Sequence, residues 1–291
     1  MAANTSLVVT GLNFDQIRLN LRNFIASKPD FADFDFADSA IGTLLDLLAY
    51  NTYYNAFYTN MAASEAFLDS AQFYDSVVSR AKMIGYTPIS ARGATANVRV
   101  SFTTATATGS RPTLTIAKNT QFVSVINGVS YVYVTPREYT IAANSSNRFR
   151  QDIQLVEGLP LTHRFAFTTA NTSFVLPNQN VDTRDMTVAV TSSGNTVTYV
   201  QADDINVVNS SAAVFFIEAD KNRKYRISFG DNVIGRRPAY NSTVAVSYRV
   251  CNATKGNGAN TFSASGTVAG QSNFILNVLE RATGGAEQET I

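Results

Sequence analysis

An α+β fold is predicted: a helical module at the front, followed by antiparallel β-sandwich or barrel-like domains. Three observations carry this. Apolar residues recur at helical spacing up to a stop at Gly85 and Pro88. From Ala94 the pattern switches to period two, in segments such as ATANVRVSF, and Thr, Val, Tyr and Phe dominate most of the remaining chain. The turn signals Asn127-Gly128, Gly194-Asn195 and Gly230-Asp231-Asn232 then separate short runs with no helical pattern between them.

The first helix is expected over Asn13 to Ser27, with Phe14, Ile17, Leu21, Phe24 and Ile25 on one face, Arg18, Asn20 and Arg22 turned away, and Pro29 as its end. In PDFADFDFAD, phenylalanines alternate with aspartates. An EF-hand loop needs a glycine at its sixth position and a glutamate at its twelfth, and neither is in place, so no metal site is read here. The aromatics anchor an extended connector instead, and aspartates near Ile41 favour the positive end of the next helix dipole.

Asp38 and Ser39 are N-cap candidates for that next helix, because a short side-chain oxygen accepts an orphan N–H. Its apolar residues do not keep to one stripe. Ile41, Leu44, Leu45 and Leu48 hold one face, while Leu47, Tyr50, Tyr54, Phe57, Tyr58 and Met61 cover the flank and much of the back. A helix apolar on most sides must be covered on most sides, either by its own chain or by other chains. A following helix is expected from Ser64 or Glu65, with Phe67, Ala71, Tyr74, Val78 and Ala81 on one face and Arg80 and Lys82 at its negative end.

Strands are expected at Ala96 to Thr103, Thr113 to Ile116, Gln121 to Ile126, Tyr131 to Thr135, Arg150 to Val156, Arg164 to Thr168, Met186 to Thr191, Val197 to Gln201, Val214 to Glu218, Lys224 to Phe229 and Val244 to Val250. The predicted organisation is a helical assembly module over 1–92, a first β region over 93–158, a second over 159–250, and a loop-rich segment over 251–291 leading into a domain that this chain lacks.

Composition excludes several function classes. A net charge of +1 with 15% charged residues argues against a nucleic-acid binder, which needs clustered cations. With 45% apolar and 11% aromatic residues the chain is not of disordered composition. No basic n-region with an apolar h-region opens it and no stretch approaches bilayer length, so a protein made in the cytoplasm, without a membrane partner, is expected. One cysteine, Cys251, excludes an internal disulfide, and one histidine, His163, argues against a histidine metal site. No cofactor is expected.

Catalytic constellations are poorly supported. His163 falls between predicted strands, no G-x-S-x-G elbow is present, and the Walker pattern is absent from the glycine-rich stretch after Val250. A Cys251–His163 pair exists by counting alone, and an isolated cysteine behaves as a small hydrophobe. The carboxylate pairs Asp203-Asp204 and Asp33-Asp35 are nominal candidates that read as solvated turns.

Three stretches carry a resemblance. Residues 44–94, LLDLLAYNTYYNAFYTNMAASEAFLDSAQFYDSVVSRAKMIGYTPISARGA, closely resemble the N-terminal region of the long baseplate wedge subunit of T-even-like contractile-tailed bacteriophages. Residues 229–250, opening FGDNVIG, look like the F-G-D-G-x-x-G segment shared with the wider baseplate J-like proteins; Phe229, Gly230, Asp231 and Gly235 match, and Asn232 replaces the second glycine. TGGAEQE, residues 283–289, is similar to the Gly-Gly-Ala-x-x-Glu element that comes next in those families.

The resemblance implies a structural, non-enzymatic subunit of the virion tail baseplate, assembled in the host cytoplasm. Two copies and a related wedge subunit would share a helical bundle, and sheath-proximal wedge and central hub proteins would be further partners in the ring that triggers sheath contraction. The bundle residues would be Ile41, Leu44, Leu45, Leu48, Tyr50, Tyr54, Phe57, Tyr58, Phe67 and Tyr74. The alternative reading, from the Ser/Thr/Asn-rich strands and many tyrosines, is a sugar- or receptor-binding β-rich tail module.

Overall fold

The computed structural model describes residues 10–11, 13–31, 34–36, 39–102, 113–144, 148–202 and 208–290. The chain divides into two compact units, one ending at Tyr86 and one over Thr87–Thr290. Asp38, Asp33 and the Asp203-Asp204 pair lie outside the described residues.

The first unit is helical. Helix α1 (Phe14–Ala26) is capped by Asn13, whose side chain accepts from the Gln16 N–H. Helix α2 (Ala40–Ser64) is capped by Ser39, which accepts from the Gly42 N–H at 2.9 Å. Gly42 is required there, since a Cβ would overlap the carbonyl oxygen of Phe36 in the connector. The two helices are joined by Phe14 packed edge-on to Tyr53 (6.4 Å) and by an Arg18–Asp46 ion pair (2.6 Å). The expected outward turn of Arg18 is thereby corrected: its guanidinium reaches α2, and Phe24, assigned to the packed face, is exposed.

The last helix also begins later than expected. Helix α3 spans Tyr74–Met83, not a run from Ser64 or Glu65. Between the helices Ser64 and Ser70 exchange hydroxyl-to-carbonyl hydrogen bonds (2.8 and 3.2 Å), closing a tight turn. Glu65 reaches across it to accept from the backbone N–H of Gln72 (2.9 Å) and Phe73 (3.3 Å). Desolvation opposes ionisation of Glu65, but these amides and the Ser76 side chain outweigh it and hold its carboxyl below the ordinary range. Local side-chain bonding has replaced helical hydrogen bonds, the competition that Ser and Glu near a helix start make possible.

The second unit holds two β lobes. In the first, a six-stranded antiparallel sheet runs β14 (Ser263–Ala264), β3 (Gln121–Ile126), β4 (Val129–Val134), β6 (Phe149–Glu157), β1 (Thr95–Phe102), β15 (Phe274–Thr283). Strands β2 (Thr113–Ile116) and β5 (Tyr139–Ala142) form a separate ribbon. Alternation along β1 buries Ala96, Val98, Val100 and Phe102 against Phe122, Tyr133, Phe149, Ile153 and Leu155. The sequence reading has no strand after Val250, yet β15 pairs with the whole of β1.

The second lobe is a seven-stranded sheet ordered β7 (Leu159–Phe167), β13 (Ser242–Val250), β9 (Val181–Ser192), β10 (Asn195–Gln201), β11 (Val214–Asp220), β12 (Lys224–Phe229), β8 (Ser173–Val175). Its end strands approach each other through Phe165 stacked on Phe174 (4.7 Å), so the sheet is nearly a barrel. The core comprises Phe167, Val188, Phe215, Tyr225, Ile227, Val244 and Val246 among others. One pair departs from the antiparallel expectation: β10 and β11 run parallel, Val200 opposite Val214.

Candidate assembly interface

The 25 residues of α2 bury only Gly42, Leu45, Ala49, Asn60 and Ser64. At 100° per residue the first four of these lie on one side of the helix, and the opposite arc, about half the circumference, carries Phe57, Tyr50, Tyr54, Leu47, Tyr58, Leu44 and Leu48. All seven are exposed, Leu47 at 63%, Leu44 and Tyr58 at 59%. Within the arc Asn51 bonds Asn55 (2.7 Å) and Thr43 folds its hydroxyl back onto the Ser39 carbonyl (3.2 Å), while at its edge Thr52 and Thr59 fold theirs onto the carbonyls of Leu48 and Asn55. Folding back spends those hydroxyls locally, so they do little to make the surface hydrophilic.

The aromatic part of the arc is organised by the helix itself. Tyr50 and Tyr54 lie 4.5 Å apart and Tyr54 and Tyr58 6.2 Å apart, the i, i+4 contacts of one face, with Phe57 set edge-on to Tyr58 at 5.8 Å. Leu47, Tyr50, Tyr54, Phe57 and Met61 follow alternating steps of three and four, the a/d spacing of a helix that packs along its length against another helix. Phe67, in the turn after α2, is also exposed, as are Leu68, Phe73, Met83 and Ile84 around α3.

Of the predicted interface residues, Leu44, Leu48, Tyr50, Tyr54, Phe57, Tyr58 and Phe67 are exposed in the chain alone, and Ile41 and Tyr74 are half-buried. Leu45 is different. It is 1% exposed, on the side of α2 that carries Ala49, and has no free surface to offer. Sequence reasoning puts it with Leu44 and Leu48 because i, i+3 and i+4 spacing cannot say which flank of a broadly apolar helix is covered.

Asn60 has no place in the sequence reading. It is buried, its side-chain oxygen accepts from the Thr10 N–H (2.8 Å) and its amide donates to the Thr10 carbonyl (2.9 Å), so it clasps the chain ahead of α1 as a β-strand neighbour would.

The family-like turn is built by its own backbone. Gly230 and Gly235 come so close that a Cβ on Gly230 would overlap the Gly235 carbonyl, and Gly235 sits at φ +78°. Asp231 accepts from the N–H of Val233 (2.9 Å) and Ile234 (3.0 Å), which holds its exposed carboxyl below the usual range. Asn232 takes the left-handed conformation, φ +73°, that a glycine would take with less strain. Phe229 packs inward, edge-on to Tyr199 and Phe167.

Parts of all three resembling stretches meet where the chain enters the β unit. Arg92 forms a β-bridge with Ala286, and Gly93 donates to the buried Asp182 carboxylate (3.2 Å). Asp182 also accepts from Arg184 (2.6 and 2.9 Å) and faces Arg249 at 3.8 Å. Burial opposes its ionisation, but the Arg184 hydrogen bonds, the two guanidinium charges and the Gly93 amide outweigh this and hold the carboxyl low. Glu157, wholly buried, accepts from the Asn252 N–H and side-chain amide; burial first, then the nearby Asp182, push its carboxyl up against those bonds and the charge of Arg249.

The geometry gives no support to the catalytic candidates it describes. His163 lies within β7, not between strands, and stacks on Tyr248 (5.8 Å). Cys251 is buried and its thiol is pushed up to about 11, chiefly by desolvation, which suppresses the thiolate needed for nucleophilic attack. Among the described residues no group of three or more His, Cys, Asp or Glu is gathered as metal ligands would be, and no helix is long and apolar enough to cross a membrane. Of the strand tyrosines, Tyr133, Tyr139, Tyr199, Tyr225 and Tyr248 are buried and Tyr131 is half-buried.

Comparison with known proteins bears on the helical unit and on the whole chain. Residues 13–86 match the family model described as baseplate wedge protein gp6-like, helical domain. The chain is 25% identical to baseplate wedge protein gp6 of Enterobacteria phage T4 over an alignment of 310 residues, covering 98% of this chain and 46% of that protein. It thus spans about half the length of this curated relative. Residues 13–86 thus resemble a gp6-like baseplate wedge helical domain, and along nearly its whole length the chain is similar to a baseplate wedge protein.

Proposed function

We propose that this protein is a structural, non-enzymatic subunit of a contractile phage tail baseplate, and that the apolar arc of α2 is its assembly surface. A second copy of the chain and a related wedge subunit cover the arc in a shared helical bundle. Sheath-proximal wedge and hub proteins are met by the rest of the subunit in the ring around the hub, and signalling proceeds by repacking of interfaces without bond chemistry. The complete assembly resides in the virion tail after formation in the host cytoplasm.

The observation that carries this reading is the exposure of Leu44, Leu47, Leu48, Tyr50, Tyr54, Phe57 and Tyr58 together on one helix. Burying a large apolar side chain is worth about 1.5–3 kcal/mol, so leaving this set in water is costly and covering it is strongly favourable. Absence of charge from the middle of the set and enrichment in tyrosine and phenylalanine are the composition of an interface core.

The test is co-expression of the chain with the products of neighbouring tail genes, followed by native mass determination, for wild type and for the Leu48→Asp, Phe57→Asp double variant. Wild type is expected in a multi-chain complex and the variant as a folded single chain with native helical content. A wild-type chain that stays a monodisperse monomer with no exposed apolar surface, with a variant that simply unfolds, contradicts the reading.

A further inference from the structure

The β unit holds the peptide on which the helical unit is tethered with a strap made from residues 284–290. The tether, residues 87–94, is extended; its last residue, Ala94, joins the core of the first lobe, and ahead of it Ala91 contributes to a small cluster with Cys251 and Ala253. It is held from two sides. On one side β9 supplies Thr183, whose N–H and hydroxyl bond the Ser90 hydroxyl (3.2 and 3.0 Å), and Asp182, which takes the Gly93 N–H.

On the other side lies the strap. Arg92 and Ala286 exchange backbone hydrogen bonds (2.9 and 3.1 Å), Glu289 donates its N–H to the Ile89 carbonyl (3.0 Å), and the Glu289 carboxylate accepts from the Ile89 N–H (2.9 Å). Tyr225 joins both strands of this pair, donating to the Pro88 carbonyl (3.2 Å) while the buried Gln288 side chain donates to its hydroxyl (3.2 Å).

The strap is fastened at a separate point. Asn257 bonds both backbone groups of Gly285, donating to its carbonyl (2.9 Å) and accepting from its N–H (2.8 Å). Gly285 passes so near the Ala253 carbonyl that any Cβ would overlap it, and Thr254 adds a bond to Glu287 (2.9 Å). The strap lacks large apolar side chains, so it is held by polar contacts that a competing backbone could replace.

We propose that residues 284–290 are a releasable strap that sets where the tether of the helical unit leaves the β unit. Seated, it fixes the tether from Ile89 onward. Unseated, it leaves the tether anchored at Ser90 and Gly93 through Thr183 and Asp182, with only the Tyr225 bond to Pro88 ahead of them, and residues 87–89 become a leader of roughly 10 Å at full extension. A force or a partner acting on 284–290 is thereby coupled to the reach of the helices. The inference does not depend on the baseplate reading, since it rests on contacts inside the β unit.

Amide hydrogen exchange on the full chain tests it, comparing wild type with Asn257→Ala and with a chain ending at Thr283. Wild type is expected to protect the amides of Ile89 and Arg92. In both variants these two should exchange about tenfold faster or more, as the loss of net hydrogen bonds dictates, while the interior of β1 stays protected. Trypsin gives an independent readout at Arg92, with cleavage accelerated by a similar factor in the variants. Unchanged exchange and cleavage in Asn257→Ala, or loss of protection in β1 together with the tether, overturns the proposal, since the segment is then either idle or a part of the core.

Discussion

Replacing Asp182 with Asn is the sharpest perturbation of the β unit. The carboxylate is wholly buried, accepts three side-chain or backbone bonds at 2.6–3.2 Å from Arg184 and one from Gly93 (3.2 Å), and stands 3.8 Å from Arg249, itself 5% exposed. The asparagine keeps the shape and loses the charge. Arg249 is then left with Asp185, 3.4 Å away, as its remaining ion pair among those described. Breaking a buried pair by removing one partner costs about 3–5 kcal/mol, a large share of the roughly 5–15 kcal/mol that holds a domain folded. In urea, with a slope of about 3 kcal/mol/M, the midpoint should fall by roughly 1–2 M, as monitored by near-UV circular dichroism of the buried tyrosines.

The pH profile of the same variant has a definite sign. Asp182 has a depressed carboxyl, so its stabilisation is present above the ordinary carboxylate range and is lost as pH falls through the depressed value. The wild-type β unit should therefore lose stability on acidification below about pH 4, and Asp182→Asn should show a flatter acid limb. A midpoint shift under about 0.3 M, or an unchanged acid limb, refutes the argument that this carboxylate is the electrostatic anchor of the cluster.

Glu157→Gln should act in the opposite sense. Its raised carboxyl contributes stability below the ordinary range that is lost as pH rises through the raised value, so the glutamine variant gains on wild type between about pH 5 and pH 8, read from denaturation midpoints at the two pH values. Gly93→Ala places a methyl group on the Glu157 carbonyl and should cost about 1–3 kcal/mol, measured as a drop in thermal midpoint of several degrees. Asn60→Ala removes both backbone bonds to Thr10 and should cost about 1–3 kcal/mol in the helical unit, with faster exchange at the Thr10 amide. An unchanged Thr10 amide would show that the clasp is not what holds that segment.

Much of the fold is legible in local pattern. Strands β2, β3 and β12 begin and end where alternation and turn residues put them, because a half-buried strand writes its period directly into the chain. Strand β15 escapes the sequence reading although Phe274, Leu276 and Val278 alternate with exposed Ile275 and Leu279. It comes after a long glycine-rich stretch, and its partner β1 stands at the far end of the β unit. The start of α3 escapes it for a different reason: the Ser64–Ser70 and Glu65 contacts that unwind the turn are side-chain bonds, invisible to periodicity.

The candidate interface is legible as a helix without a single apolar stripe, and of the residues expected there the exposed arc of α2 bears Leu44, Leu48, Tyr50, Tyr54, Phe57 and Tyr58. Periodicity does not tell the side on which α2 is already covered, which removes Leu45 and brings in Leu47. The Glu157, Asp182 and Arg249 cluster is also out of reach of sequence pattern. Its members come from β9 and β13, which pair in one sheet, and from β6 of the other, and only contacts distant in sequence bring their charges together.

A cryo-EM map of the assembled tail addresses the assembly claim most directly. Tyr50, Tyr54, Phe57 and Tyr58 are expected to be packed against helices of at least one other chain, with no water layer along the arc. Density in which this face of α2 borders solvent in the complete particle would contradict the account.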